Sequence, residues 1–494
     1  MKQHKATADY LYASTYRRYD LLDVPMFGKD ANSHHQLQQQ LRHTMRQNVT
    51  QLALPGLVAG EHSGNAASLQ LWQQNADLWQ QFALWLRYSL GYQRFEPFNS
   101  YHLHTVVPSP RALYPIAGYL YLNNGSERSW QLWKYQPSEH RFELVGSGHN
   151  TSIKADAIQF LLLSDDDRIL PYYGDYCATL VALETGHLLA QQLLLAAQLQ
   201  WQVQQHNQAL AGPLCDWLAA RPQLQFCAAL QSPQWQVASF WPQLQQAKAA
   251  VQYRPGQKAV DQGQYPLLQA FRQALHTDSW PQALPKVLLQ GTAAWPDLAA
   301  ALACSKNRTS GNDSQGFVGA GAPLSLSGQL QLWQRLQQLI NAVWQPHSWL
   351  ADLPVRLYCS LVNAEQQNQT FVWTPQSAEF RPLSVADTVT ALRQSAATPP
   401  HAYNYNSFQL VWSIALDYSA LAPYQSHGVV LGQLGVGFLA HLCCLAAADQ
   451  QLFARPIKGF HEALLEYDMQ QLQHSLVYQV LCGRQPKGVP VYEC

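Results

Sequence analysis

The chain has 494 residues, 47% of them hydrophobic and only 13% charged, with a formal net charge of zero. That length points to two or three domains rather than one core, and the charged share is about half of the usual ~25%. A neutral chain with no long basic run excludes the clustered Lys and Arg that a nucleic-acid partner requires.

Residues 1 to about 100 read as mostly helical, with Leu71, Trp72, Leu78, Trp79, Phe82 and Leu86 on one face of a helix over 69–92. Pro108-Ser109-Pro110 follows, a stiff loop with two fixed φ angles and one hydroxyl. It leads into a buried strand over 116–122. A hairpin comes next, with arms Trp130–Tyr135 and Arg141–Val145 and a turn at Pro137-Ser138-Glu139. Leu183 to Trp201 and Val429 to Ala448 are apolar enough to be taken for membrane spans. Polar residues interrupt both, among them Glu184, His187, Gln433 and His441, so both are expected as central core helices and no membrane is expected. The Pro- and Gln-rich stretch from about 205 to 290 is expected to hold short helices and connections.

The order then repeats. Pro354 to Asn363 resembles Pro115 to Asn123, and Val372-Trp373-Thr374-Pro375 resembles Lys134-Tyr135-Gln136-Pro137. Each copy runs on to its apolar helix, at Gly186 and at Gly437. Agreement of order, spacing and hairpin type indicates an internal duplication. The expected division is a first domain over 1–245 with a helical N-terminal extension, a linker over 246–290, and a second domain over 291–494. Nine scattered cysteines form no Cys-x-x-Cys pair, which points to reduced thiols and no metal site. Met1 to Lys5 is polar, without the apolar segment of a signal peptide, and a cytoplasmic location is expected. There is no Walker loop, no His-Glu-x-x-His and no Gly-x-Ser-x-Gly.

Pro108-Ser109-Pro110-Arg111-Ala112-Leu113-Tyr114-Pro115, placed before a strand, resembles the flavin-contacting loop of the nitroreductase superfamily. Its azoline-dehydrogenase (SagB-type) members are the nearest in pattern; Arg111 replaces their glycine. Leu183-Glu184-Thr185-Gly186-His187 matches the Leu-Glu-x-Gly-His of that branch. The resemblance implies an α+β fold: two nitroreductase-like domains, each a mostly antiparallel sheet packed by helices, fused as a pseudo-dimer with flavin mononucleotide (FMN) between them. For the phosphate it implies Arg308, Ser310 and Asn312, the last standing where a second cation is usual, with Arg484 near the end of the chain. For the ring it implies the loop Pro108-Ser109, with Arg111 beside it, and Ile457-Lys458-Gly459. Only the first copy has the Pro-Ser loop and only the second has the other segments, so one complete site is expected.

The branch's catalytic Lys-Tyr becomes Tyr172-Tyr173 here. A phenol of pKa about 10 donates a proton readily but is a poor base. Read from the residues alone, other roles stay open. The Pro-Ser segment can be a rigid strand-entry turn, the 308–312 segment a surface loop, Gly459 a helix cap and Arg484 a solvated arginine. The tyrosines can be a buried aromatic pair, and Glu184 and His187, one helical turn apart, a hydrogen-bonded structural pair. The activity implied is FMN-dependent oxidation of a peptide or peptide-derived substrate, azoline to azole, with a cyclodehydratase-type partner. The alternatives are an NAD(P)H-dependent nitro or quinone reductase, and a non-catalytic scaffold in a peptide-modifying complex.

Overall fold

The computed structural model describes residues 2–16, 44–56, 66–97, 99, 101–206, 213–255, 262–277, 287–289, 293–311, 318–346, 348–365, 367–377, 379–384, 387–397, 403–468, 474–485 and 492–493. The strands of the first half are β1 (Thr44–Ala53), β2 (Tyr92–Phe95), β3 (Leu103–Thr105), β4 (Ile116–Asn124), β5 (Ser129–Gln136), β6 (Arg141–His149) and β7 (Ala157–Asp165). After these come β8 (Val203–His206), β9 (Leu224–Gln231), β10 (Lys248–Pro255) and β11 (Val287–Leu289). The second half supplies β12 (Val355–Leu361), β13 (Thr370–Trp373), β14 (Arg381–Leu383), β15 (Leu410–Leu416), β16 (Phe453–Ile457), β17 (Ser475–Gly483) and β18 (Tyr492–Glu493).

The first sheet runs β10-β1-β6-β5-β4-β7-β9-β8-β11 and the second β14-β13-β12-β15-β17-β16. Its inner six, β6-β5-β4-β7-β9-β8, repeat the order of the second sheet strand for strand, so the duplication extends to topology. The pairings within both sheets are antiparallel. The fold is thus α+β, with two antiparallel sheets packed by helices.

Several helices place the site: α1 (Lys2–Tyr16), α2 (Leu78–Ser89), α3 (Asp166–Tyr173), α4 (Cys177–Gln198), α5 (Pro266–Thr277), α6 (Leu298–Asn307) and α7 (Gln425–Asp449). The single helix expected over 69–92 is two, Ala66–Asn75 and α2. The cause is Asp77, whose side chain accepts from Gln80 N–H at 2.7 Å while Gln80 Oε1 accepts from Asp77 N–H at 3.0 Å. This reciprocal cap starts a new helix. The described part of the N-terminal region is mostly helical, as expected, but it also contributes strand β1, which pairs with β10 and β6. The 205–290 region likewise holds more than helices and connections: β9 is an interior strand beside β7. Segment 246–290, expected as a linker, contains β10, α5 and β11, and its two strands belong to the first sheet.

Helices α4 and α7 are buried nearly all round, as core helices are, and carry membrane-length apolar windows that are 94% buried. They cross backbone to backbone. A Cβ on Gly186 would lie 2.0 Å from the Leu434 carbonyl oxygen, and one on Gly437 would lie 2.0 Å from that of Leu183. Each glycine meets the other helix at an equivalent point, as two subunits would across a two-fold axis.

Candidate functional site

The first copy brings its Pro-Ser loop to the edge of this crossing. Ser109 starts a single tight turn, Pro110–Ala112, and the backbone turns left-handed at Arg111 (φ 50°), Ala112 (φ 48°) and Tyr114 (φ 46°). A side chain in that region costs about 1–2 kcal/mol, so position 111 keeps the conformation of a glycine while carrying an arginine. Hydrogen bonds hold the turn. Tyr114 N–H donates to Ser109 Oγ at 3.0 Å, Tyr114 O–H to the Leu103 carbonyl at 3.0 Å, and Arg168 Nη1 to the Tyr114 carbonyl at 2.9 Å. Ser109 Oγ in turn donates to Glu184 Oε2 at 2.7 Å.

Glu184 therefore pairs with Ser109, not with His187 as its spacing suggested. His187 Nδ1 lies 3.4 Å from Nδ1 of His441, whose Nε2 is 3.0 Å from Gln191 Oε1. Both histidines are held neutral by burial, which lowers their pKa values. Burial also pushes the Glu184 carboxyl up to about 8, against the Ser109 hydrogen bond, which lowers it.

Tyr172 and Tyr173 end α3, and the Arg111 guanidinium sits 5.8 Å and 5.6 Å from their ring centres. Burial raises the Tyr173 phenol, with Arg111 opposing it. Tyr173 is thus a proton donor at neutral pH. Arg111, expected beside the cofactor, is placed by these contacts at the tyrosine pair.

The second copy supplies Arg308, the residue at the C-terminal cap of α6. It is 2% exposed. Its Nη1 donates to Ser310 Oγ at 3.0 Å and its Nη2 to the Thr105 carbonyl at 3.2 Å, while Nε is buried without a partner. Among the described residues no carboxylate pairs with it. The Arg94 guanidinium instead donates to the Arg308 carbonyl and pairs with Glu96 at 3.2 Å. Burial first, and then Arg94, lower the Arg308 pKa to about 10. Buried charges are ordinarily paired, so a buried guanidinium with an open donor and a neighbouring hydroxyl fits an anion such as a phosphate. Asn312 lies outside the described residues.

Three more expected residues lie along β16 and its end. Ile457 ends the strand; Lys458 Nζ is 5.7 Å from the Tyr176 ring of the first copy and 3.8 Å from Glu462 Oε1. The Gly459 carbonyl accepts from Ala397 N–H at 3.1 Å. Arg484 is exposed, with its N–H on Gln409 Oε1 at 2.9 Å. The Arg308–Gly311 segment and the Gly483-Arg484 end of β17 share one support: Cβ atoms on Gly311 and Gly483 would lie 3.2 and 2.9 Å from the Phe453 ring.

The seam thus unites Ser109 and the Tyr172–Tyr173 end of α3 with Arg308, Ser310 and Lys458. Sequence reasoning missed Arg94, Thr105 and the role of Glu184. All three act through partners 75 or more positions away, Arg94 and Thr105 on Arg308 and Glu184 on Ser109, and no local pattern marks them. A cleft lies beside the Pro-Ser loop, lined among others by Tyr92, Thr105, Tyr114, Lys134, Arg168 and Glu184.

No known family's sequence profile matches the chain, and no curated protein sequence matches it. Solved structures do. A provisionally assigned nitroreductase from Anabaena variabilis ATCC 29413 superposes with a TM-score of 0.60 at 16% identity, over 83% of this chain and 88% of its own. That likeness spans both copies and shows the nitroreductase fold. Two others superpose too loosely to bear on the fold. The Escherichia coli microcin synthetase McbBCD complex with truncated pro-MccB17 has a TM-score of 0.28 at 13% identity, over 35% of this chain and 69% of its own. A provisionally assigned nitroreductase in complex with FMN from Exiguobacterium sibiricum 255-15 has 0.26 at 11%, over 38% and 89%.

Proposed function

We propose that this chain is an FMN-dependent oxidoreductase that binds one FMN at the seam between its two copies. The observation that carries the reading is Arg308: a buried guanidinium that pairs with no carboxylate among the described residues, open at Nε, beside the Ser310 hydroxyl. These residues fit a phosphate, and Arg484 can add to them from the exposed side. Pro108-Ser109 and Ile457-Lys458-Gly459 would flank the ring. When bound, FMN supplies reversible two-electron chemistry by accepting or giving a hydride. The chain's own part is to bind the phosphate, exclude water with the buried helix pair, and hold a proton at the Tyr173 phenol.

The substrate class we assign is a peptide or peptide-derived ring, oxidised from azoline to azole, in the cytoplasm and with a cyclodehydratase-type partner. The match of Leu183–His187 to the azoline-dehydrogenase branch supports it. One observation favours a second reading, reduction of nitro or quinone compounds with NAD(P)H. The phenol raised by burial is a donor rather than a base, and a donor suits reductive protonation. Reconstitution with FMN followed by NAD(P)H addition tests both. Bound flavin that NAD(P)H leaves oxidised favours the dehydrogenase, and bleaching favours the reductase. No bound flavin refutes both and leaves a scaffold.

A further inference from the structure

Glu184, on α4, meets the Pro-Ser loop and lines the cleft beside it. Its Oε2 accepts from the Ser109 hydroxyl at 2.7 Å, and Ser109 Oγ is already the acceptor of Tyr114 N–H. The serine proton therefore points at the carboxyl. Glu184 is 4% exposed and yet lines the cleft that opens beside the Pro-Ser loop. The charged and titratable groups that face it come from every side: Arg168 from α3, Tyr114 from the loop, Tyr478 from β17, and Tyr92 and Lys134 across the cleft. Arg168, at 39% side-chain exposure, points its Nη1 to the Tyr114 carbonyl. A buried carboxyl with one neutral hydroxyl partner and a route to water can take up and release a proton, which a carboxylate locked to an arginine cannot.

We propose that Glu184 is a proton-relay residue of this site, exchanging through the Ser109 hydroxyl the proton that accompanies hydride transfer at the seam and passing it to the cleft. The inference rests on the oxidoreductase reading and deepens it. The balance is simple. Oxidising an azoline removes a hydride from one ring carbon, and its electron pair would go to the flavin. The C–H electron pair of the adjacent ring carbon becomes the new C=C bond, and its proton goes to Ser109 Oγ as Ser109 gives its own to the ionised Glu184. An oxidant of the dioxygen or quinone class then restores the flavin. In the reducing direction the same proton moves inward.

Two measurements test it. Infrared titration of the FMN-free protein should show a protonated buried carboxyl band that is lost near pH 8 and is absent in Glu184→Gln. In the FMN-loaded protein, the rate of reduction by sodium dithionite should fall about tenfold as pH rises through that value, and should be flat in Glu184→Gln. Ser109→Ala serves where Glu184→Gln does not fold. It removes the bond that favours the carboxylate, so the infrared titration should move to higher pH, and it removes the hydroxyl that carries the proton, so the bend in rate should be lost. A carboxyl ionised across pH 6–9, or a bend that persists in Glu184→Gln or in Ser109→Ala, overturns the relay alone. Failure to bind FMN overturns the oxidoreductase reading beneath it.

Discussion

Gly186→Ala is the sharpest test of how the two copies are joined. The new Cβ would sit 2.0 Å from the Leu434 carbonyl oxygen, where ordinary contact begins at 3.4 Å. The obstacle is backbone inside a buried helix and cannot swing aside, so α4 and α7 must part by about 1.4 Å at the crossing. A gap of 0.5–1 Å already forfeits a quarter to a half of each dispersion contact, and overpacking alone costs about 1–3 kcal/mol. The expected loss is at least about 3 kcal/mol, read as a fall in the urea midpoint relative to wild type. Gly56→Ala is the control, since nothing lies within 4 Å of its Cβ position; it should change stability by less than about 0.5 kcal/mol. Gly437→Ala meets the same obstacle from the other side, so the double variant should lose less than the sum of the two. A Gly186→Ala protein as stable as wild type would refute the close crossing.

Arg308→Ala should weaken FMN binding by roughly a hundredfold or more, because two charge-assisted bonds of about 1.5–3 kcal/mol each are lost; a fluorescence titration reads this, and an unchanged affinity would move the phosphate elsewhere. Tyr173→Phe should lower turnover about a hundredfold while FMN stays bound, if the phenol is the acid; equal turnover removes it from the chemistry. Arg111→Gly should be nearly neutral in chemical denaturation, within about 1 kcal/mol, since φ is 50° there. Arg111→Val should be clearly worse, because a β-branched residue at positive φ is strained; equal effects would contradict the left-handed turn.

The elements legible in the sequence are those whose signal is local. The β5–β6 hairpin announces itself by apolar alternation and a turn at Pro137, and β4 and β12 each follow a proline, Pro115 and Pro354. The α4–α7 pair is legible as two interrupted apolar runs, though not as two glycines in mutual contact. Strand β1 is not legible because its register is set by β10, about 200 positions later. The Asp77 cap is not legible because it lies inside a continuous apolar period that reads as one helix. At the site, the Pro-Ser loop and Arg308 come from motifs. What completes them, Arg94 and Thr105 on Arg308 and Glu184 on Ser109, comes from the fold. Glu184 and His187 show why: an i, i+3 spacing offers each residue a neighbour, and each instead finds a better partner across the packing.

The most direct measurement is flavin stoichiometry. The second copy alone supplies Arg308 and Ser310, and the first alone supplies Ser109. Purified protein should be saturated with FMN, freed of excess, and read at the flavin band against protein concentration, with Arg308→Ala alongside. One FMN per chain in the wild type, and sharply less in Arg308→Ala, is the expected result. Two per chain, or none after reconstitution, would contradict a single site at the seam.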